Sequence, residues 1–121
     1  MTCAALLLTT AACGGPAVPS PPAGLLESTA ARERGRALYL EHCALCHGIE
    51  ADGRGVREHA LSGPPADFTR SSWRGATSAG EVFAVVREGV RGTSMPSWRS
   101  LSEDETWDIV AYLWSVGEAG P

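Results

Sequence analysis

Lysine, asparagine and glutamine are missing from this 121-residue chain, and all ten basic residues are arginine. We take this as compositional bias without functional meaning. A basic stripe is missing too. The net charge is −4, so nothing here would neutralise a phosphate backbone, which argues against nucleic acid as a partner. No apolar run approaches the roughly 20 residues that a membrane-crossing helix needs. The length allows one small domain and no more. An apolar fraction of 44% suits a folded protein. A domain of this size buries only about 60–70% of its unfolded surface, a thin core to which a bound cofactor would add apolar area.

Two of the four cysteines, Cys3 and Cys13, fall in a segment that does not read as fold. A short apolar run from Cys3 to Ala12 followed by small residues reads as an export signal over residues 1–12. Thr10-Ala11-Ala12-Cys13 resembles the lipobox of bacterial lipoproteins, with Thr10 where leucine is usual. That resemblance implies cleavage before Cys13 and a lipid on its thiol, hence a membrane contact on the periplasmic side of the envelope. Ordinary cleavage near Ala12 would instead leave a soluble periplasmic protein. Residues 13–28 are rich in glycine, proline and serine and read as a tether of partly polyproline character.

The domain, residues 29–118, reads as all helix. Ala31, Gly35, Leu38, Tyr39 and His42 recur at spacings of three and four, with Ser28 or Thr29 able to cap the start. Ser78 and Glu81 form a capping box for a middle helix over Ala79–Glu88, ended by Gly89. Ser102 and Glu105 form another for a last helix, with Leu101 before it and Trp107, Val110, Ala111 and Trp114 on one face. Between these helices lie two loops without strand alternation. Long loops in a compact domain imply that something holds them, such as a large apolar ligand.

The first helix runs into Cys43-Ala-Leu-Cys46-His47. Three chemistries use part of that pattern. Structural zinc needs four ligands, and no second Cys or His pair exists in the domain. A thioredoxin-like dithiol expects a βαβ context that an all-helical pattern lacks. The third is covalent haem attachment, for which C-x-x-C-H is the signature. Two thiols must reach two vinyl groups, and the imidazole must reach the iron from the same side.

A sixth ligand should then come from another segment. Met95, the domain's one methionine, sits in the Gly/Pro/Ser-rich stretch GTSMPSW and is the expected donor. His59 is the rival, reading as a solvated loop residue. His42, on the first helix beside the attachment motif, is placed on the wrong side for the distal face.

Residues 30–117 resemble a class I cytochrome c. The matching residues are Gly35 and Tyr39, Cys43 through Gly48, Gly53 and Gly55, Pro65-Ala-Asp67-Phe68, Gly92-Thr93-Ser-Met95-Pro96-Ser-Trp98, and Trp107 with Ala111-Tyr112-Leu113. The resemblance implies an all-α fold with first and last helices crossing, Gly35 and Tyr39 against Ile109 and Tyr112, and loops wrapping one covalent haem c. It also implies that a loop proline carbonyl, Pro65 before Pro64, accepts the His47 Nδ1 proton. Trp98 would either wall the pocket or donate to a propionate, the wall being preferred. Trp73 and Arg74 are candidates to flank the propionates, and Asp67 to cap a turn.

With His47 and Met95 both on the iron, no coordination position is open. Substrate chemistry is then not expected, and one-electron transfer between a redox protein donor and acceptor remains, with no small-molecule substrate. Residues 53–99 carry seven arginines against four acids, a mildly basic region that could steer an acidic partner. Two other classes stand beside this reading: a haem peroxidase or gas-binding domain in which Met95 dissociates, and an electron-relay subunit of a larger oxidoreductase complex.

Overall fold

Ser28 accepts the Ala31 N–H at 3.3 Å and starts α1, Thr29–His42, so of the two candidate caps Ser28 serves. The structure is a computed structural model and describes residues 14–119. The export signal, Cys3 and Cys13 lie outside the described residues. Five α-helices are present among them: α1; α2, Ala44–His47; α3, Ser71–Gly75; α4, Ala79–Glu88; and α5, Glu103–Glu118. A single 3-10 turn, Glu58–Ala60, follows α2. No described residue is in a strand, and no helix among the described residues is long and apolar enough to cross a membrane.

Both predicted capping boxes form. Ser78 and Glu81 start α4, and Ser102 and Glu105 start α5, each with both reciprocal bonds made. The expected faces are largely the buried ones: Ala31, Gly35 and Tyr39 on α1, and Trp107, Val110 and Ala111 on α5, with Ile109 and Leu113 beside them. Leu38, His42 and Trp114, expected on the same faces, are only half-buried. Fully burying a side chain such as Ile109 or Val110 stabilises the fold by about 1.5–3 kcal/mol.

α1 and α5 cross where Gly35 meets the α5 backbone. A Cβ on Gly35 would stand 1.8 Å from the Asp108 carbonyl oxygen. One turn on, the Tyr39 and Tyr112 rings pack at 5.1 Å, and Arg34 clamps Asp108 with two bonds of 2.7 and 2.8 Å. α4 joins through Phe83 stacked on Trp107 at 4.2 Å. Three helices therefore enclose a wall made by α4, α5 and the end of α1.

The structure differs from a free spacer between residues 18 and 26. Leu25 and Leu26 pack on the core, the Leu26 carbonyl accepts Arg32 Nε at 2.6 Å, and Val18 and Pro19 lie against Gly80 of α4. A leucine pair, Leu25 and Leu26, and a glycine on the facing helix let a proline-rich segment dock without a helix or strand of its own.

Candidate functional site

α2 carries the attachment motif and has only four residues. A helix that short leaves its carbonyls without partners inside the helix. The following loop supplies them. Gly53, Gly55 and Arg57 donate in turn to the carbonyls of His47, Cys46 and Leu45, at 2.8, 3.2 and 2.9 Å. Phe68 N–H then returns to the Ala51 carbonyl at 2.9 Å. The long loop is thus laced to the motif, and α2 is held in place by its neighbours rather than by its own propensity.

His47 is fixed on two sides. Its ring stacks on Phe68 at 4.9 Å, and Nδ1 stands 3.3 Å from the Ala66 carbonyl. Burial is the main influence on the imidazole and lowers its pKa; the Ala66 bond opposes this. A neutral ring donating from Nδ1 keeps the Nε2 lone pair for a metal. The acceptor is Ala66 and not Pro65, which corrects the expectation from the family resemblance. The Pro65 carbonyl is turned toward Gly53, 2.9 Å from where a Cβ would stand, although Pro65 itself lines the site. Tyr39 supports the motif from below. Its buried hydroxyl donates to the Gly48 carbonyl at 2.7 Å, and burial pushes the phenol well above its ordinary range.

The Cys43 thiol is half-buried, and that burial, with a smaller influence from Cys46, pushes it up to about 12. It is kept protonated, unlike the thiolate of a dithiol redox centre. Among the described residues, no three His, Cys, Asp or Glu side chains gather as a metal-holding group.

Cys43, Cys46, His47 and Met95 all line one cavity of about 770 Å³. The rest of the lining is chiefly apolar and aromatic, with Val82, Val86, Ile109 and Leu113 from the helices and Phe68, Trp73 and Trp98 from the loops. A planar macrocycle with two covalent anchor points and two axial donors fits this donor set and this apolar wall. The Met95 segment is anchored to α4 and to the residues just after it. Trp98 N–H donates to the Val86 carbonyl at 3.0 Å and the Ser97 hydroxyl to the Arg87 carbonyl at 2.6 Å, both on α4, and Val90 N–H, two residues past its end, to the Met95 carbonyl at 3.1 Å.

The remaining expectations separate. Trp98 packs on His42 with ring centroids 5.2 Å apart, consistent with a wall. Both line the cavity. Trp73 packs between Phe68 and Trp114. Arg74 lies over Trp114 and pairs with Glu118 at 3.3 Å, so it is committed away from the cavity. Asp67 caps its turn by accepting from the Thr69 amide at 3.0 Å. His59 is almost fully exposed beside Glu58. Sequence reasoning did not find the Ala66 carbonyl or the Phe68 stack, because carbonyl direction and ring stacking leave no mark in residue spacing.

The family model of cytochrome C oxidase, cbb3-type, subunit III matches residues 30–113. The chain belongs to this family of c-type cytochromes. The cytochrome is 32% identical over 103 residues to cytochrome c55X of Paracoccus denitrificans (strain Pd 1222), covering 82% of each chain. It is 29% identical over 89 residues to the cbb3-type cytochrome c oxidase subunit CcoP of Azospirillum brasilense. That match takes in 73% of this chain and 29% of CcoP, so the cytochrome spans under a third of that relative. Among solved structures, a chain of the Kuenenia stuttgartiensis reducing HAO-like protein complex superposes with a TM-score of 0.71 at 29% identity, over 85% of this chain and 50% of that one. The KustC0563 c-type cytochrome superposes with a TM-score of 0.58 at 25% identity, over 72% and 98%. The fold is accordingly that of a class I cytochrome c. The cytochrome binds haem c covalently.

Proposed function

We propose that this cytochrome holds a single haem through Cys43 and Cys46, closes its iron with His47 and Met95, and passes one electron at a time between protein partners of an exported respiratory chain. The observation that carries this reading is the convergence of those four side chains on one apolar cavity of about 770 Å³. The haem supplies an Fe(II)/Fe(III) couple, and Met/His ligation raises its potential. The chain's own part is to anchor, to exclude water and to hold the imidazole neutral. Phe68, Trp73 and Trp98 wall off solvent, and the Ala66 carbonyl orients His47. With both axial positions taken, the cytochrome has no place for a substrate and is not an enzyme.

The docking face is the cavity mouth. Leu45, Val85 and Val90 line it and remain 52%, 42% and 42% exposed. Val85 and Val90 lie in the basic region of residues 53–99, so an acidic redox protein is the fitting partner. A lipid on Cys13 would hold the cytochrome at the periplasmic face of a membrane. The similarity to CcoP favours an oxidase-linked partner, whether the cytochrome is a separate carrier or a relay subunit.

Mass spectrometry and a redox titration of the exported protein test this. One haem should stay with the chain through denaturation, and one electron should be taken up per chain. A second haem, or haem that extracts freely, would refute the single covalent site.

A further inference from the structure

The loop that supports His47 and the loop that carries Met95 are joined by two serines. Ser62 N–H donates to Ser94 Oγ at 3.0 Å, Ser94 N–H donates to Ser62 Oγ at 2.9 Å, and the two hydroxyls meet at 3.2 Å. The residues are 32 positions apart. Among the described residues, no other hydrogen bond links residues 56–70 to residues 89–99. Each serine thus satisfies the other's backbone amide, as a pair of strands would, but through side chains.

The position of this clasp gives it a consequence. Ser94 immediately precedes Met95, and Ser62 lies four residues before Ala66, whose carbonyl holds His47. Both serines line the cavity that contains His47 and Met95. The bonds from Val90, Ser97 and Trp98 tie the Met95 segment back to its own helix, α4 or its end, and none of them spans the cavity. They would keep the segment folded without fixing its distance from the His47 wall.

We infer that Ser62 and Ser94 are positioning residues that set the gap between the two axial walls and so hold Met95 on the iron. This rests on Met95 being the sixth ligand. Both serines are solvent-exposed, so water competes for their bonds and each contributes at the low end of the usual range. The clasp is a bias on the Met95-on and Met95-off populations, and its loss frees the iron for an external ligand without unfolding the domain.

Imidazole titration of the oxidised, haem-loaded protein tests this. The pair Ser62→Ala with Ser94→Ala removes all three bonds. It should bind imidazole about fivefold to tenfold more tightly than the wild type, as expected for the loss of roughly one net hydrogen bond. Its far-red sulfur–iron band should bleach at correspondingly lower imidazole, with the reduced spectrum unchanged. Ser94→Thr, which keeps the hydroxyl, should behave as wild type. So should Ser115→Ala, whose hydroxyl bonds only the Tyr112 carbonyl on α5. If the double variant does not fold, Ser62→Ala alone removes two of the three bonds and is read the same way. Unchanged imidazole affinity in the alanine variants overturns the clasp, as does an equal rise in Ser115→Ala. A wild type with no sulfur–iron band overturns the Met95 assignment itself, and the clasp with it.

Discussion

Gly35 of α1 and Asp108 of α5 touch through their backbones, with the Asp108 carbonyl where a Gly35 side chain would be. This contact sets the distance between the two helices that bracket the attachment motif. Gly35→Ala cannot be accommodated by turning a side chain, because the clash is with backbone at 1.8 Å. Alanine's better helix propensity, about 1 kcal/mol, works in the opposite direction. Overpacking should win, with a net loss of roughly 2 kcal/mol in denaturant unfolding. A variant as stable as wild type would show that the helices separate freely at this point.

Tyr39 reports on the support beneath the motif. Tyr39→Phe keeps the ring against Tyr112 and leaves the Gly48 carbonyl without its buried donor. The expected cost is about 1–2 kcal/mol. Hydrogen exchange should quicken at the α2 amides more than at α4. Uniform quickening would place the effect in the global fold instead.

Much of this was legible in the sequence where chemistry repeats or punctuates. The capping boxes at Ser78 and Ser102 and the stop at Gly89 marked α4 and the start of α5 to the residue. The C-x-x-C-H motif and the lone Met95 named residues that now share one cavity. What stayed hidden depends on backbone direction or on contacts between distant residues. α2 and α3, with four and five residues, barely exceed one helical turn, too short for an apolar pattern to repeat. The choice of Ala66 over Pro65 turns on which way a carbonyl points, and the Ser62–Ser94 pair is two ordinary polar residues in separate loops. The docking of residues 18–26 was masked by a composition that reads as linker.

The docked segment gives its own test. A Cβ on Gly80 would stand 2.0 Å from the Pro19 carbonyl, so Gly80→Ala should displace residues 18–26 from α4. Limited proteolysis should then cut this segment several-fold faster, with the haem spectrum unchanged. Loss of stability should stay near about 1 kcal/mol, the low end of overpacking costs. Equal cleavage in both proteins would mean that the segment is already free in solution.

The α4 cap makes a pH prediction. Bonds from the Ser78 amide and then the Ser78 hydroxyl hold the Glu81 carboxyl below its ordinary pKa. A group depressed by folding adds stability above its unfolded pKa, and that contribution disappears as pH falls through the folded value. Stability should therefore be steady near neutrality and decline in acid, and Glu81→Gln should flatten part of that decline. An NMR titration of Glu81 in the reduced protein checks the direction. A pKa at or above that of a free glutamate would contradict the capping role.

The most direct test of the central claim is the optical spectrum of the oxidised, exported protein beside that of Met95→Leu. The account predicts a low-spin ferric haem with the far-red sulfur–iron band in the wild type, and loss of that band with conversion toward high spin in the variant. A wild type that is already high-spin and lacks the band would contradict it. The iron would then be open, and ligand binding or peroxidase chemistry would replace electron carriage as the reading of this site.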